Sequence, residues 1–266
     1  MPTIINKSRL SYGMIESKRG QLAIFIVLAI VIVAVLLIVF LYPKFSSTGQ
    51  KAFTPNSFLQ GCLEPQLRPV IAQIAAHAGY ISPNGTIEYN GQKVKYLCYT
   101  SEYYKTCVNQ QPMIKENFEN NLAQFVTNAA KQCMLDLKAE YERQQYAVTL
   151  GDVSAKASMV PGDIRVDIQA PMTVTKGDTQ SFNSFEINMK SNMYDLVMIA
   201  SSIIEFESTF GNAETTLYMQ YYPNLKMFKN QLSDGTRVYT LNDVVTNESF
   251  IFASRSLAWP PGYTGQ

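Results

Sequence analysis

The sequence is poor in the residues that most metal and acid-base chemistry needs. His77 is the one histidine in 266 residues, which removes a His-rich metal centre and leaves few groups able to act as a general base near neutral pH. Excess charge of either sign is also missing. Lys and Arg number 22 against 21 Asp and Glu, and no stretch gathers the run of about five or six like charges that marks a nucleic-acid-binding tail. Nucleic acid is therefore not an expected partner. There is no phosphate-cradling glycine loop, no G-x-S-x-G elbow and no H-E-x-x-H pair. Two carboxylate pairs, Glu140 with Glu142 and Glu205 with Glu207, are spaced i, i+2, which on a helix puts the members on different faces and reads as solvated charge. His77, close to the end of an expected helix, reads as a surface residue there. No catalytic residue, metal ligand or cofactor is expected, and the chain is not expected to be an enzyme.

What is abundant is apolar residues in one run. From Leu22 to Tyr42 the chain has no charge, Gly, Pro or amide. As a helix its 21 residues would extend about 32 Å, enough for a bilayer core of about 30 Å. The run is longer than the apolar part of a cleaved secretory signal, and it passes into Tyr42, Pro43 and Lys44 with no small-residue cleavage site, so an uncleaved signal anchor is expected. Lys7, Arg9, Lys18 and Arg19 stand before it against Glu16 alone, and the positive-inside rule puts residues 1–21 in the cytoplasm. Everything beyond the 22–42 span is then extracytoplasmic.

The junction Lys18-Arg19-Gly20-Gln21, followed at once by the apolar run, resembles the class III signal of archaeal type IV pilin-like proteins, which a dedicated peptidase cuts at a basic-Gly-Gln site. The usual acidic residue a few positions into the apolar run is absent, and Phe25 and its neighbours are apolar. The wider layout is similar to a group of single-pass membrane proteins of small-genome archaea. In that group a KRGQ-type start and an apolar span precede a Cys-Leu helix that ends in Gly-Tyr-Ile, here Cys62-Leu63 through Gly79-Tyr80-Ile81. The resemblance implies a membrane-anchored extracytoplasmic protein and carries no activity with it.

Residues 43–56, rich in Ser, Thr, Gly and Pro, read as a stalk. A helical stripe begins at Leu59 and continues through Leu63, Leu67, Val70, Ile74 and Ala78, with Gly79 placed as a cap; Pro65 and Pro69 predict a kink or two shorter helices. A Tyr-rich excursion with turns at Pro83-Asn84-Gly85 and Asn90-Gly91 predicts a hairpin and a loop. A long helix follows on the stripe Ile114, Phe118, Leu122, Phe125, Ala129, Cys133, Leu137 and Tyr141. After Tyr146 the period changes to two, with Ile164/Val166/Ile168 and Phe185/Ile187/Met189 alternating with polar residues and turns at Gly162 and Gly177. A further helix fits Met193 to Ile204, and Asp234-Gly235 marks a late hairpin whose strands end near Ala253. The expected class is α+β: a helical hairpin over 57–146, then a unit over 147–266 with an antiparallel sheet covered on one face by a helix.

All four cysteines lie beyond the apolar run, an even count in an oxidising compartment. Of the three connectivities, Cys62 with Cys133 would join two helical stripes and Cys98 with Cys107 would close the Tyr-rich loop. Metal binding is the weaker reading because no C-x-x-C pair is present, and four reduced core cysteines would require the opposite topology. Asn84-Gly85-Thr86 and Asn247-Glu248-Ser249 fit the N-glycosylation pattern on the outer side, and Asn6-Lys7-Ser8 fits it on the cytoplasmic side. Tyr96, Tyr99, Tyr103 and Tyr104 surround Cys98, and Tyr218, Tyr221 and Tyr222 precede Pro223. Tyrosine serves recognition surfaces because a large rigid ring carries a hydroxyl that tolerates water, and it serves plain packing in strands equally well.

The functional expectation is a membrane-anchored, non-enzymatic envelope protein that contacts other envelope or surface proteins, with oligomerisation open. A pilin-like subunit processed near Gly20-Gln21 is the alternative, and an envelope peptide or glycan hydrolase the third.

Overall fold

Thr54-Pro55-Asn56-Ser57 starts the first long helix of the folded region. Thr54 takes extended backbone and accepts from the Ser57 N–H at 3.2 Å, the Ser57 hydroxyl closes a capping box, and Pro55 fills a first-turn position where its missing N–H costs nothing. The computed structural model describes residues 25–36 and 54–258. Two units are present, Met1–Ala52 and Phe53–Gln266. In the first, residues 25–36 form helix α1, all of them exposed. Among the described residues no helix is long and apolar enough to cross a membrane. Residues 1–24 and 37–53, which hold the expected cytoplasmic segment, the Gly20-Gln21 junction, both ends of the expected span and nearly all of the expected stalk, lie outside the described residues.

In the second unit α2 runs from Pro55 to Ala76 as one helix with Pro65 and Pro69 inside it; of the expected kink or two shorter helices, the division into two does not occur. Its buried stripe, Leu59, Leu63, Leu67, Ile71 and Ile74, continues across both prolines, so packing outweighs the two lost backbone bonds. Gly79 then turns the chain at φ +97, with its N–H on the Ile74 carbonyl at 2.9 Å. Strands β1 (Thr86–Tyr89) and β2 (Gln92–Tyr99) form an antiparallel hairpin across Asn90-Gly91, both at positive φ as a tight two-residue turn requires. The short β3 (Val108–Asn109) pairs with the end of β2, and α3 (Ile114–Arg143) follows on the expected stripe. At one turn of that stripe the deeper residue is Val126 and Phe125 is only half-buried.

The α2 and α3 helices pack together as expected, but they are not a simple hairpin, because β1–β3 between them belong to a larger sheet. That sheet has the order β1-β2-β10-β9-β8, built from β8 (Leu225–Gln231), β9 (Thr236–Asp243) and β10 (Ser249–Arg255), with β2 and β10 parallel. A second, all-antiparallel sheet holds β4 (Ala147–Leu150), β5 (Ser154–Val160), β6 (Asp163–Lys176) and β7 (Asp178–Lys190), with turns at Gly162 and Gly177. Helix α4 (Met193–Phe210) contacts strands of both sheets, and the short α5 (Thr215–Tyr221) lies against β8. The α+β class is as expected. The single covered sheet is corrected to two sheets with a helix between them, since α4 is buried along Leu196, Val197, Ala200, Ile203 and Ile204 and carries further buried residues at Met193, Ile199 and Glu207. One continuous core, from Leu59 to Phe252, unites residues read separately as 57–146 and 147–266.

Candidate contact surface

Both expected disulfides are present. Cys62 and Cys133 tie α2 to α3 with Cα atoms 6.0 Å apart, and Cys98 and Cys107 close the Tyr-rich loop at 5.3 Å. Cys98, Cys107 and Cys133 are buried. The closed loop is held at its base: Cys107 donates its N–H to the Ser256 hydroxyl at 3.1 Å, and the Lys105 carbonyl accepts from Leu257 at 3.0 Å. At its tip Tyr103 and Tyr104 are 72% and 62% exposed, their rings 6.4 Å apart.

The tyrosines of β2 are aimed by a register shift. Tyr96 faces away from the main core and packs with Val94, Val238 and Ala253 in a small second cluster. Between the Ala253–Tyr96 and Ser254–Cys98 pairs the ladder shifts, so Leu97 and Cys98 both join the main core and Tyr99 returns beside Tyr96. Their rings meet edge to face at 5.1 Å, and the Arg255 guanidinium lies 5.8 Å from the Tyr99 ring while donating to the Thr100 carbonyl at 2.5 Å. Tyr96 shares a hydrogen bond with Thr236 Oγ1 at 2.9 Å, and burial pushes its phenol above the ordinary value. Tyr99 is 39% exposed.

These two rings line a notch of about 290 Å³ between β1 and β3, completed by Gly85, Thr86, Lys95 and Gln110. Lys95 donates to the Asn84 carbonyl at 2.6 Å and sits 5.0 Å over the Tyr80 ring; burial holds its ammonium below the usual lysine value. A second cavity of about 230 Å³ lies where α2 meets the start of α4, lined in part by Arg68, Ile71, Met193 and Glu248. There Glu248 accepts from the Ser191 hydroxyl and the Asn192 N–H, each at 2.6 Å, supplying the carboxylate that the helix N-terminus favours. Both sequon asparagines, Asn84 and Asn247, are exposed, and Asn247 borders this second cavity. Tyr221 and Tyr222 are exposed, while Tyr218 is half-buried with its hydroxyl on Ser202 at 2.9 Å.

Two expectations about charged and polar residues change. Glu207 is not solvated: it is completely buried, and its carboxylate accepts from the Ala213 N–H at 3.0 Å, Arg237 Nη1 at 2.8 Å, the Ser254 hydroxyl at 3.0 Å and the Tyr239 hydroxyl. Ala200, Ile203 and Ile204 place position 207 on the same buried face, which was the available signal. Burial and the facing carboxylate drive the Tyr239 phenol strongly upward. His77 is half-buried rather than on the open surface, capping α2. Among the described residues no group of His, Cys, Asp and Glu is gathered to hold a metal. No protein-family model, curated protein or solved structure matches this chain.

Proposed function

We propose that this chain is a membrane-anchored, extracytoplasmic envelope protein that works by protein–protein contact through its Tyr-rich, disulfide-closed loop, and not by catalysis. The observation that carries the reading is the loop itself: Tyr103 and Tyr104 are exposed at the tip of a segment already pinned by the Cys98–Cys107 bond. A partner meets aromatic area whose ordering cost is largely met before binding, which is where anchor residues are most effective. Two disulfides in one domain fit an oxidising compartment, and the exposed apolar helix α1 fits the middle of an anchor reaching from residue 22 to residue 42.

The test is chemical crosslinking in native membranes, comparing the full chain with a Tyr103→Ala/Tyr104→Ala variant. A partner adduct should be lost from the variant while the two disulfides and the far-UV spectrum stay unchanged. An unaltered set of adducts would move the contact surface elsewhere. External protease on intact cells should remove residues beyond the span and spare 1–21; the reverse pattern would overturn the orientation.

A further inference from the structure

The larger sheet opens into two arms on the early side of its parallel pair. β10 and β2 pair only from Ala253 and Tyr96 onward, so residues 249–252 have β9 on one side and no strand on the other. The alternation of the ladder fixes which backbone groups are left over. The Leu232 N–H donates to the Thr236 carbonyl at 2.8 Å, so Thr236 and every second residue of β9 bond toward β8, and Leu241, Tyr239 and Arg237 bond toward Phe250, Phe252 and Ser254. Ser249 and Ile251 therefore turn their N–H and C=O groups away from β9, as Arg255 does near the strand's end, where its carbonyl accepts from the Thr100 N–H at 3.0 Å. On the other arm the Tyr96 N–H donates to the Gly85 carbonyl at 3.0 Å, and the same alternation points the N–H and C=O of Lys93 away from β1. Before Ala253 no ladder joins the arms, and these groups face the gap without a strand partner.

The gap is hollow. The 230 Å³ cavity reaches Ser249 and Ile251, a further cavity of about 580 Å³ reaches Gln92 and Lys93, and both are lined by Ala72 and Ala76, whose small side chains leave room along α2. We propose that this groove takes a short, acidic, extended segment of another envelope protein, which adds as a strand beside β10, a second contact site beyond the Tyr-rich loop. The open groups of β10 recur every two residues, about 7 Å, which is the repeat of a polypeptide strand, so one strand meets all of them together. A lipid chain would leave them unpaired, and a sugar's hydroxyls have no such repeat. Charge selects the kind of segment. Lys93 is exposed and has no ion pair among the described residues, Arg68 and Lys190 at the other end are answered by Glu64 and Asp163, and the one carboxylate lining the groove, Glu248, is already bonded to Ser191 and Asn192. A second copy does not supply the segment: the groove is walled by both arms and admits a single strand, each described strand is already set in a sheet, and residues 43–53 and 259–266 contain neither Asp nor Glu.

The experiment uses full-length, nitrogen-15-labelled protein in phosphatidylcholine nanodiscs. Hydrogen exchange of the free protein should find the Ser249 and Ile251 amides fast beside slow Phe250 and Phe252 amides, and uniform protection along the strand would refute the open edge. A phage library of random nine-residue linear peptides is then selected on this protein against Ala72→Trp, a change at an exposed position whose indole fills the groove. Enriched peptides should carry Asp or Glu, and the tightest of them, made synthetically, should slow the Ser249 and Ile251 amides. Lys93→Glu, at an exposed side chain, should weaken that peptide about tenfold, and changing the peptide's acid to Lys should restore binding. No enrichment over Ala72→Trp, enrichment of basic or uncharged peptides, or binding that leaves both amides fast overturns the proposal. So does slowing of the same amides by a second copy, seen as a dependence on protein concentration without peptide, or by a lipid or glycan that copurifies. The Tyr103→Ala/Tyr104→Ala variant should bind the peptide as the parent protein does, so the loop reading stands or falls separately.

Discussion

Replacing Glu207 by Gln is the sharpest perturbation of this fold, because the change removes a charge and almost no volume. Four donors converge on the Glu207 carboxylate: Ala213 N–H and the Tyr239 hydroxyl on Oε1, Arg237 and the Ser254 hydroxyl on Oε2. A carboxamide offers one acceptor oxygen and one donating NH2. The two hydroxyls can turn and accept, but the Ala213 N–H and Arg237 can only donate, so whichever way the amide points, one of them faces another donor. Arg237, with its side chain 12% exposed, also loses its charge partner and keeps the Gly211 carbonyl as an acceptor. Leaving one member of a buried ion pair costs about 3 kcal/mol or more, equivalent to a fall in Tm of about 6 to 12 °C for a domain of this size. Glu207→Gln with Arg237→Met should recover part of that loss, because the amide NH2 can then point into the vacated side and donate to Ser254, while its oxygen keeps Ala213 and Tyr239. Denaturant unfolding of the full chain in detergent gives all four corners of the cycle. A Glu207→Gln loss under about 1 kcal/mol, or a double variant less stable than the single one, would refute the reasoning.

Removing the Cys62–Cys133 bond by paired Ala substitutions should cost about 4 kcal/mol, and removing Cys98–Cys107 about 3 kcal/mol, since the sequence separations they close are 71 and 9 residues; unfolding midpoints test the order, and the reverse order would contradict loop closure as the cause. Burial raises the Asp243 pKa, but bonds from the Thr246 N–H, Asn192, the Thr246 hydroxyl and the Val245 N–H outweigh it and leave the carboxyl below its usual value. Its folded pKa is depressed, so its contribution is fully present above the ordinary carboxylate pKa of about 3.9 and is lost as pH falls through the lower folded value. Asp243→Asn should therefore be less stable at neutral pH and show a shallower fall in stability below about pH 4, and an unchanged acid slope would exclude the assignment.

The elements that were legible from the sequence are those whose burial follows one period. Ile114, Phe118, Leu122, Cys133 and Leu137 all fall inside on α3, and Ile164, Val166 and Ile168 alternate inward on β6, because helix and strand geometry alone fix which positions share a face. The same logic paired the cysteines, since Cys133 sits on the α3 stripe and Cys62 directly precedes Leu63 of the α2 stripe. What stayed hidden was long-range. β2 lies parallel to β10 with Tyr96 opposite Ala253, a pairing with no turn and no local residue to announce it. Without that pairing, residues 80–112 read as a hairpin and a loop; the hairpin is there as β1–β2, but the larger sheet it completes was missed.

Glu207 and the Tyr99 side of β2 were hidden for different physical reasons. For Glu207 the stripe of α4 pointed inward, and residue type was allowed to outvote position; the donors that make burial tolerable come from Arg237, Tyr239 and Ser254, all distant in sequence. For Tyr99 the residue type was informative and position was not. Strict alternation along Val94, Tyr96 and Cys98 would put Cys98 with the outer cluster and Tyr99 toward the core, whereas the register shift at Leu97 turns two successive residues inward and releases Tyr99 outward. That shift brings Cys98 to Cys107 and Tyr99 to Tyr96 in one step. The disulfide that pins the loop and the edge-to-face ring pair that floors the notch are thus consequences of the same irregularity, and straightening β2 would lose both.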